Sequence, residues 1–315
     1  MRKIKRFATL DIGSNTVRLL VAEPEGSGFA QLHSSQIITR LGQRMHEAGS
    51  LSEAAMERTV SGAGSLVESA SHLKPFEIAA TATHAVRTAK NRERFRELFR
   101  RRLGFDLDVI EWEREAELSL RGAFMVIKKR GPLVLFDIGG GSTEFVYRSG
   151  KGGIRRVGTD LGVVRIAETY IQNAPLTADE YRRMSAYLKS EIAAVADKLK
   201  FERPFTLVGT AGSITSIAAI HFDVTPYDPE KINNRIIKTR DVETILDKIG
   251  GMTIKQRGKI PGLENGREDL IIPGIGIVLA VMELFGTASL TISDPGLREG
   301  AMLALMDGTL EGKAI

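Results

Sequence analysis

A chain of 315 residues is long for one hydrophobic core and fits two domains of ordinary size. With 43% hydrophobic and 26% charged residues it has the balance of a soluble globular protein, and 44 basic against 39 acidic residues give a modest net charge that does not call for nucleic acid. Zero cysteines exclude disulfides, thiolate nucleophiles and cysteine-based zinc sites, and the histidines at 33, 46, 72, 84 and 221 lack metal-ligand spacing.

The start, Met1 to Arg6, leads straight into a strand rather than a signal-peptide core, so a cytoplasmic protein is expected. That strand ends in Asp11-Ile12 and turns through Gly13-Ser14-Asn15 into a returning strand that alternates at Val17 and Leu19; Phe29 to Ile38 is a third. Ser50-Leu51-Ser52-Glu53 offers a capping box for a helix to about Leu73. Phe76 to Ala80 is a strand, Arg87 to Leu103 a basic amphipathic helix, Leu107 to Ile110 a strand and Glu113 to Lys128 a helix. The basic helix is either an ion-paired solvated face or a wall that attracts a polyanion.

From Pro132 the order begins again, with a third strand at Ile154 to Val157 after a turn at 150 to 153. Helices follow at 161 to 173 and 178 to 200, the second boxed by Thr177 and Glu180. Phe205 to Val208 is a strand entering Gly209-Thr210-Ala211-Gly212-Ser213, and 214 to 220 a short helix. Residues 222 to 238, polar and with Pro226 and Pro229, are an irregular excursion. Helices near 240 to 250 and 267 to 285, a strand at Leu290 to Ile292 and a helix from Gly296 complete the chain. The apolar run at 270 to 281, broken by Pro273 and glycines, is too short to span a bilayer, so no membrane partner is expected.

One motif occurs twice. Thr9-Leu10-Asp11-Ile12-Gly13-Ser14-Asn15-Thr16 matches Leu135-Phe136-Asp137-Ile138-Gly139-Gly140-Gly141-Ser142-Thr143-Glu144: a strand ends in aspartate and a glycine and hydroxyl turn follows. Glycine lets backbone amides crowd an anion, and the aspartate suits hydrated magnesium. Repeated more than a hundred residues apart, the motif suggests two similar domains with a ligand cleft between them.

These turns resemble the exopolyphosphatase and guanosine pentaphosphate phosphohydrolase (Ppx/GppA phosphatase) family, as do Ala82-Thr83-His84-Ala85-Val86-Arg87-Thr88-Ala89-Lys90-Asn91, Asp160-Leu161-Gly162-Val163-Val164-Arg165, Gly209 to Ser213, and Ser293-Asp294-Pro295-Gly296-Leu297-Arg298-Glu299-Gly300. The likeness covers nearly the whole chain, in a short form without the His-Asp region of longer relatives. It implies an α/β fold of two ribonuclease H-like domains of the actin-like superfamily, with an interdomain cleft. Domain I is expected at 1–119 plus 298–315 and domain II at 120–297. It also implies a magnesium-dependent homodimer that removes the terminal phosphate from inorganic polyphosphate, guanosine pentaphosphate or both.

Carried over by motif, the family's catalytic glutamate falls on Glu115, its phosphate-loop aspartates on Asp11 and Asp137, its second-loop glutamate on Glu144 and its phosphate-contacting arginine on Arg87. Glu111-Trp112 replaces the family's Ser-Gly, and Arg114 with Glu117 reverses its Glu and Arg. A helix reaching back to 111 would set Glu111 one turn below Glu115. Amides of Gly13, Ser14, Asn15, Gly139, Gly140, Gly141 and Ser142 would hold phosphate oxygens, magnesium near Asp11, Asp137 and Glu144 would offset charge, and Glu115 would position water. Gly209, Ala211, Gly212 and Ser213 form either a nucleotide-contacting turn or a plain strand-to-helix connection. Two other readings stand beside hydrolysis: an actin-like ATPase or sugar kinase, and a weakly catalytic sensor that binds guanosine tetra- or pentaphosphate or polyphosphate.

Overall fold

The computed structural model describes residues 5–74, 76–128 and 131–315. Met1 to Ile4, part of the expected lead into the first strand, lie outside the described residues. The chain divides into unit 1, Met1–Met125 with Pro295–Ile315, and unit 2, Val126–Asp294.

In unit 1 the alternation around Asp11 becomes β1 (Phe7–Ile12) and β2 (Thr16–Glu25), antiparallel neighbours, and β3 (Gly28–Ile38) extends the meander. After a short helix, α1 (Met45–Ala48), comes α2 (Glu53–Ser69). Its cap is Ser52 rather than Ser50: Ser52 accepts from the Ala55 amide, while the Leu51 amide is held by Asn91 Oδ1 at 2.9 Å. β4 (Glu77–Ala82) lies parallel to β1. The single basic helix expected from Arg87 is two helices, α3 (His84–Thr88) and α4 (Arg92–Leu103). Asn91 causes the break by bonding both the amide and the carbonyl of Leu51, which holds Ala89 in extended conformation just before it. β5 (Asp108–Val109) and α5 (Trp112–Ala123) follow.

Unit 2 repeats the meander as β6 (Leu133–Ile138), β7 (Thr143–Arg148) and β8 (Ile154–Thr159). α6 (Val163–Tyr170) and α7 (Ala178–Leu199) follow, α7 with the expected Thr177/Glu180 box. β9 (Thr206–Thr210) leads into α8 (Gly212–His221). The stretch expected to be irregular contains an edge strand, β10 (Ile236–Lys238), paired with β11 (Ser289–Ile292) and separated from it by α9 (Thr239–Gly250), α10 (Ile254–Arg257) and α11 (Ile271–Leu284). The chain then returns to unit 1 as α12 (Leu297–Met306) and β12 (Lys313–Ala314).

The strand order is β3-β2-β1-β4 in unit 1, with β5 and β12 both on β4, and β8-β7-β6-β9-β11-β10 in unit 2. Each is therefore an antiparallel meander whose first strand continues into parallel neighbours, the ribonuclease H-like α/β arrangement expected. One face of the unit 1 sheet packs Leu10, Ile12 and Leu19 with Met56, Val60, Phe95 and Phe99; the other packs Phe7, Leu20 and Ala79 with Leu118, Met302 and Leu305. The unit 2 core joins Phe136, Phe145 and Tyr147 to Leu188, Ile192, Ile275 and Ile277. Pro273 lies in the first turn of α11, where its missing amide leaves no helical bond unmade.

Backbone contact fixes α5 against α12. A Cβ on Gly300 would lie 1.9 Å from the Leu118 carbonyl oxygen, and one on Gly122 1.9 Å from that of Gly296. At the other end of α5, Arg114 donates to the Thr309 carbonyl at 3.0 Å and pairs with Glu117 at 3.1 Å, so the reversed Arg/Glu order keeps its opposite-charge contact.

Candidate active site

In each unit the candidate residues gather at the carboxyl ends of parallel strands, β1, β4 and β5 in one and β6, β9 and β11 in the other. Open α/β sheets bind ligands at such ends, where turns and helix starts present amides.

The two turns share one geometry. Gly13 N donates to Thr16 O at 3.0 Å and Gly139 N to Ser142 O at 2.9 Å. The first turn is tied down by its carbonyls: Ser14 O accepts from Gly42 N at 2.8 Å, and Asn15 O from the amides of Thr39 and Arg40, both at 2.9 Å. In the second, Gly139 O and Gly140 O accept from Val163 N and Val164 N at 3.2 and 2.9 Å, at the start of α6. A trans peptide points its N–H opposite to its C=O. The amides of Asn15 and Thr16, and those of Gly140 and Gly141, therefore turn away from the anchoring segments. Gly162 allows the second anchor, because a Cβ there would lie 2.2 Å from Gly141 Cα. Thr143 Oγ1 adds a 2.5 Å bond to the Leu161 carbonyl.

The acidic residues differ between the units. Asp11 stands opposite Arg18 on β2 and Thr81 on β4, whereas Asp137 stands opposite Glu144 on β7 and Thr210 on β9. Asp137 and Glu144 are both buried, 8% and 2% exposed. Cross-strand partners carry their Cβ atoms about 5 Å apart on one face, so two carboxylates are brought together with little water to separate them. Such a donor pair fits a hard cation. Among the described residues no group of three or more His, Cys, Asp or Glu side chains forms a fuller cage.

Glu115 is buried in the first turn of α5. Arg87, on α3, donates from Nη1 to Glu115 Oε2 at 2.8 Å and to the Ile110 carbonyl at 2.9 Å. α3 is itself anchored to the end of β1 by the Thr83 amide, which donates to Ile12 O. Unit 1 thus brings Asp11, its turn, Arg87 and Glu115 to one end of its sheet. Glu111 is exposed and precedes α5 in extended conformation (ψ 154), so the expected same-face stacking below Glu115 does not form. Trp112 opens the helix, where ordinary helical backbone accepts any large side chain.

The segment Gly209 to Ser213 mixes packing with strain. A Cβ on Gly209 would meet Ile214 Cδ1 at 2.8 Å, and Gly209 O accepts from Ser293 N, so this glycine serves the sheet. Ala211 has φ 75 and ψ 176, a region that is nearly glycine's alone. Gly212 lies under the Arg267 guanidinium, whose Nη2 would be 2.3 Å from a Cβ there; Arg267 is buried and pairs with Glu264 at 2.6 Å. Ser213 is buried at the start of α8. Neither Arg267 nor the strand neighbours Thr81 and Thr210 stood out in the sequence, because nothing local marks them.

Comparison with known proteins agrees with this architecture. The model of the Ppx/GppA phosphatase family matches residues 20–308. Exopolyphosphatase 2 of Mycobacterium tuberculosis is 31% identical, covering 96% of this chain and 99% of its own. The guanosine-5'-triphosphate,3'-diphosphate pyrophosphatase of Vibrio atlanticus is 24% identical over 96% of this chain and 59% of its own. The crystal structure of the Aquifex aeolicus Ppx/GppA family member superposes with a TM-score of 0.80 at 32% identity, covering 98% of this chain and 99% of that one. A family model spanning most of the chain and relatives matched end to end leave one conclusion: the chain belongs to the Ppx/GppA phosphatase family.

Proposed function

We propose that the protein is an exopolyphosphatase, which removes the terminal phosphate from inorganic polyphosphate by in-line attack of water. The observation that carries the reading is the buried, adjacent pair Asp137 and Glu144 beside a turn whose amides face outward, an arrangement suited to a polyanion and its counter-ion. The relative matched over 99% of its length is named an exopolyphosphatase, which favours polyphosphate. Guanosine pentaphosphate is the second substrate reading, favoured by the Vibrio relative, of which this chain spans 59%.

The residues divide the work. The outward-turned amides of Asn15, Gly140 and Gly141 bind phosphate oxygens, while those of Gly13 and Gly139 are spent in closing their turns. Asp137 and Glu144 would hold magnesium, which when bound would neutralise charge on the transferred phosphoryl group. Glu115 orients and deprotonates the water, and Arg87, bonded to it at 2.8 Å, keeps that carboxylate aimed.

The test is phosphate release from long polyphosphate, tripolyphosphate, guanosine pentaphosphate and ATP, without any acceptor, in magnesium and in chelator. Magnesium-dependent release from polyphosphate, nearly abolished in Asp137→Asn, is expected. Turnover of ATP alone would favour the ATPase reading, and tight binding with background turnover the sensor.

A further inference from the structure

Two groups of side chains in unit 1 lie apart from Glu115 and the first turn. One is the arginines of α4, and these are matched: Arg102 with Glu57 at 3.0 Å, Arg100 with Asp106 at 3.5 Å, Arg101 with Glu97 at 4.0 Å, and Arg94 and Arg96 with Glu53 and Glu93 at 2.8 and 2.9 Å. Of the two readings of this helix, the structure has the ion-paired face. The other group is a pair of histidines.

His33 lies on β3 and His72 in the 3-10 turn Ser71–Leu73 that follows α2. Their sequence spacing marks neither as a ligand, but the fold sets the two rings edge to face with centroids 6.4 Å apart. His33 stands opposite Val21 on β2, on the sheet face that packs against α2. Asp11 stands opposite Arg18, three residues away along β2. Side chains alternate faces along a strand, so the histidines occupy the reverse side of the sheet from Asp11, about 10 Å further along it.

Hydrogen bonds decide which nitrogen of His33 is bare. Ser69 Oγ gives its only proton to the Leu66 carbonyl at 2.7 Å, so towards His33 Nε2, 3.1 Å away, it accepts. Nε2 therefore carries the ring proton, which Ser35 Oγ shares at 3.0 Å. In the neutral ring Nδ1 then holds the lone pair, and it bonds to no described residue. A histidine that donates one N–H to fixed oxygens and keeps its other nitrogen open has the form of a metal ligand. Two imidazoles on one tetrahedral cation, with metal–nitrogen bonds of about 2.0–2.1 Å, have centroids about 5 Å apart. His72 is exposed, and a ring shift of about 1 Å closes the difference.

We propose that His33 and His72 form a two-histidine site for a divalent transition-metal ion, zinc or copper(II), with water filling its remaining positions. Imidazole suits these ions, whereas magnesium keeps to oxygen ligands, so the site does not compete with Asp137 and Glu144. The bound ion ties the segment between α2 and β4 to the edge strand β3. The inference goes beyond the hydrolytic reading and does not depend on it.

The test is calorimetric titration of the metal-free full chain, without an added histidine tag and with magnesium present throughout, by Cu2+ and by Zn2+. One equivalent of each should bind, Cu2+ the more tightly. His33→Asn and His72→Gln should each lower both affinities at least about tenfold, and Ser35→Ala with Ser69→Ala about tenfold, while His221→Gln in unit 2 changes neither. Zinc should raise the melting temperature of the wild type and not that of His72→Gln. A readout that needs no variant is the proton spectrum of the wild type, in which substoichiometric Cu2+ should broaden the ring signals of His33 and His72 before those of the other histidines. Absence of binding, affinity that survives the loss of either histidine, affinity unchanged in the serine pair, or broadening that begins at other histidines would overturn the site. Phosphate release enters none of these readouts, so a failure of the hydrolytic reading leaves the site standing.

Discussion

Arg87 Nη1 lies between Glu115 Oε2 and the carbonyl of Ile110, at 2.8 and 2.9 Å, so one nitrogen ties the carboxylate to the backbone just before its own helix. Both side chains are about nine-tenths buried, 10% and 8% exposed. In Arg87→Gln the carboxylate would stay buried without its cation, at a cost of about 3 kcal/mol. Urea unfolding should register that loss. The double variant Arg87→Gln, Glu115→Gln should regain much of the stability and none of the turnover, because the second change removes the stranded charge together with the group that directs water. A double variant no more stable than Arg87→Gln would mean that the pair is not coupled.

The second turn depends on Gly162. A methyl group there would overlap Gly141 Cα and C, both at 2.2 Å, and the overlap is with backbone, which cannot rotate aside. Gly162→Ala should displace Gly139 to Ser142 and lose turnover by about a hundredfold, as misplacement of reacting groups by about 1 Å does. Circular dichroism of the variant should stay close to wild type. Near-normal turnover would show that this turn takes no part in phosphate binding.

Ala211 gives a change of the opposite sign. Its backbone, φ 75 and ψ 176, costs about 1–3 kcal/mol for a residue with a Cβ. Ala211→Gly should therefore raise the denaturation midpoint even though glycine has the freer unfolded chain. If stability falls, the strain is not stored at this residue.

Glu180 makes unit 2 sensitive to acid. Burial alone would raise its pKa, but five donors outweigh it: Gln172 N, Asn173 N and Asn173 Nδ2 on one oxygen, Thr177 N and Thr177 Oγ1 on the other. They hold the pKa down to about 2 from the usual 4.5. A depressed carboxylate stabilises fully above its unfolded pKa and loses that contribution as pH falls through the folded one. Melting temperature should accordingly drop between pH 4.5 and about 2. Glu180→Gln should melt lower at neutral pH and show a shallower acid slope; an unchanged slope would assign the acid sensitivity elsewhere.

How much was legible follows from how local each cause is. The two Asp-ended strands and their turns are written in consecutive residues, and the Thr177/Glu180 box in four. The split between α3 and α4 is not, because the residue that makes it, Asn91, acts through Leu51 forty positions earlier. Thr81 and Thr210 become neighbours of Asp11 and Asp137 only through parallel pairing across about seventy residues. Arg87 was legible as a residue of a family motif, but its bond to Glu115 was not, since a spacing of 28 carries no periodicity. The helix near 267 to 285 was legible, but the reason for its glycines was not: Gly274 lies against Ser213 and Gly276 against Met184, at 2.7 and 2.9 Å from where a Cβ would be. Small residues there let helices approach.

Unit 1 is discontinuous: α12, which covers one face of its sheet, and β12, which pairs with β4, lie after all of unit 2 in the chain. During synthesis, therefore, unit 2 has its whole sequence available before unit 1 does, although unit 1 begins first. Residues are added at about 5–20 per second, so the first β-meander waits many seconds for the helix that will bury Phe7 and Leu20. Nascent chains arrested before Pro295 should be cut by protease within residues 5–125 while 131–294 resists, the reverse of the usual N-terminal-first order.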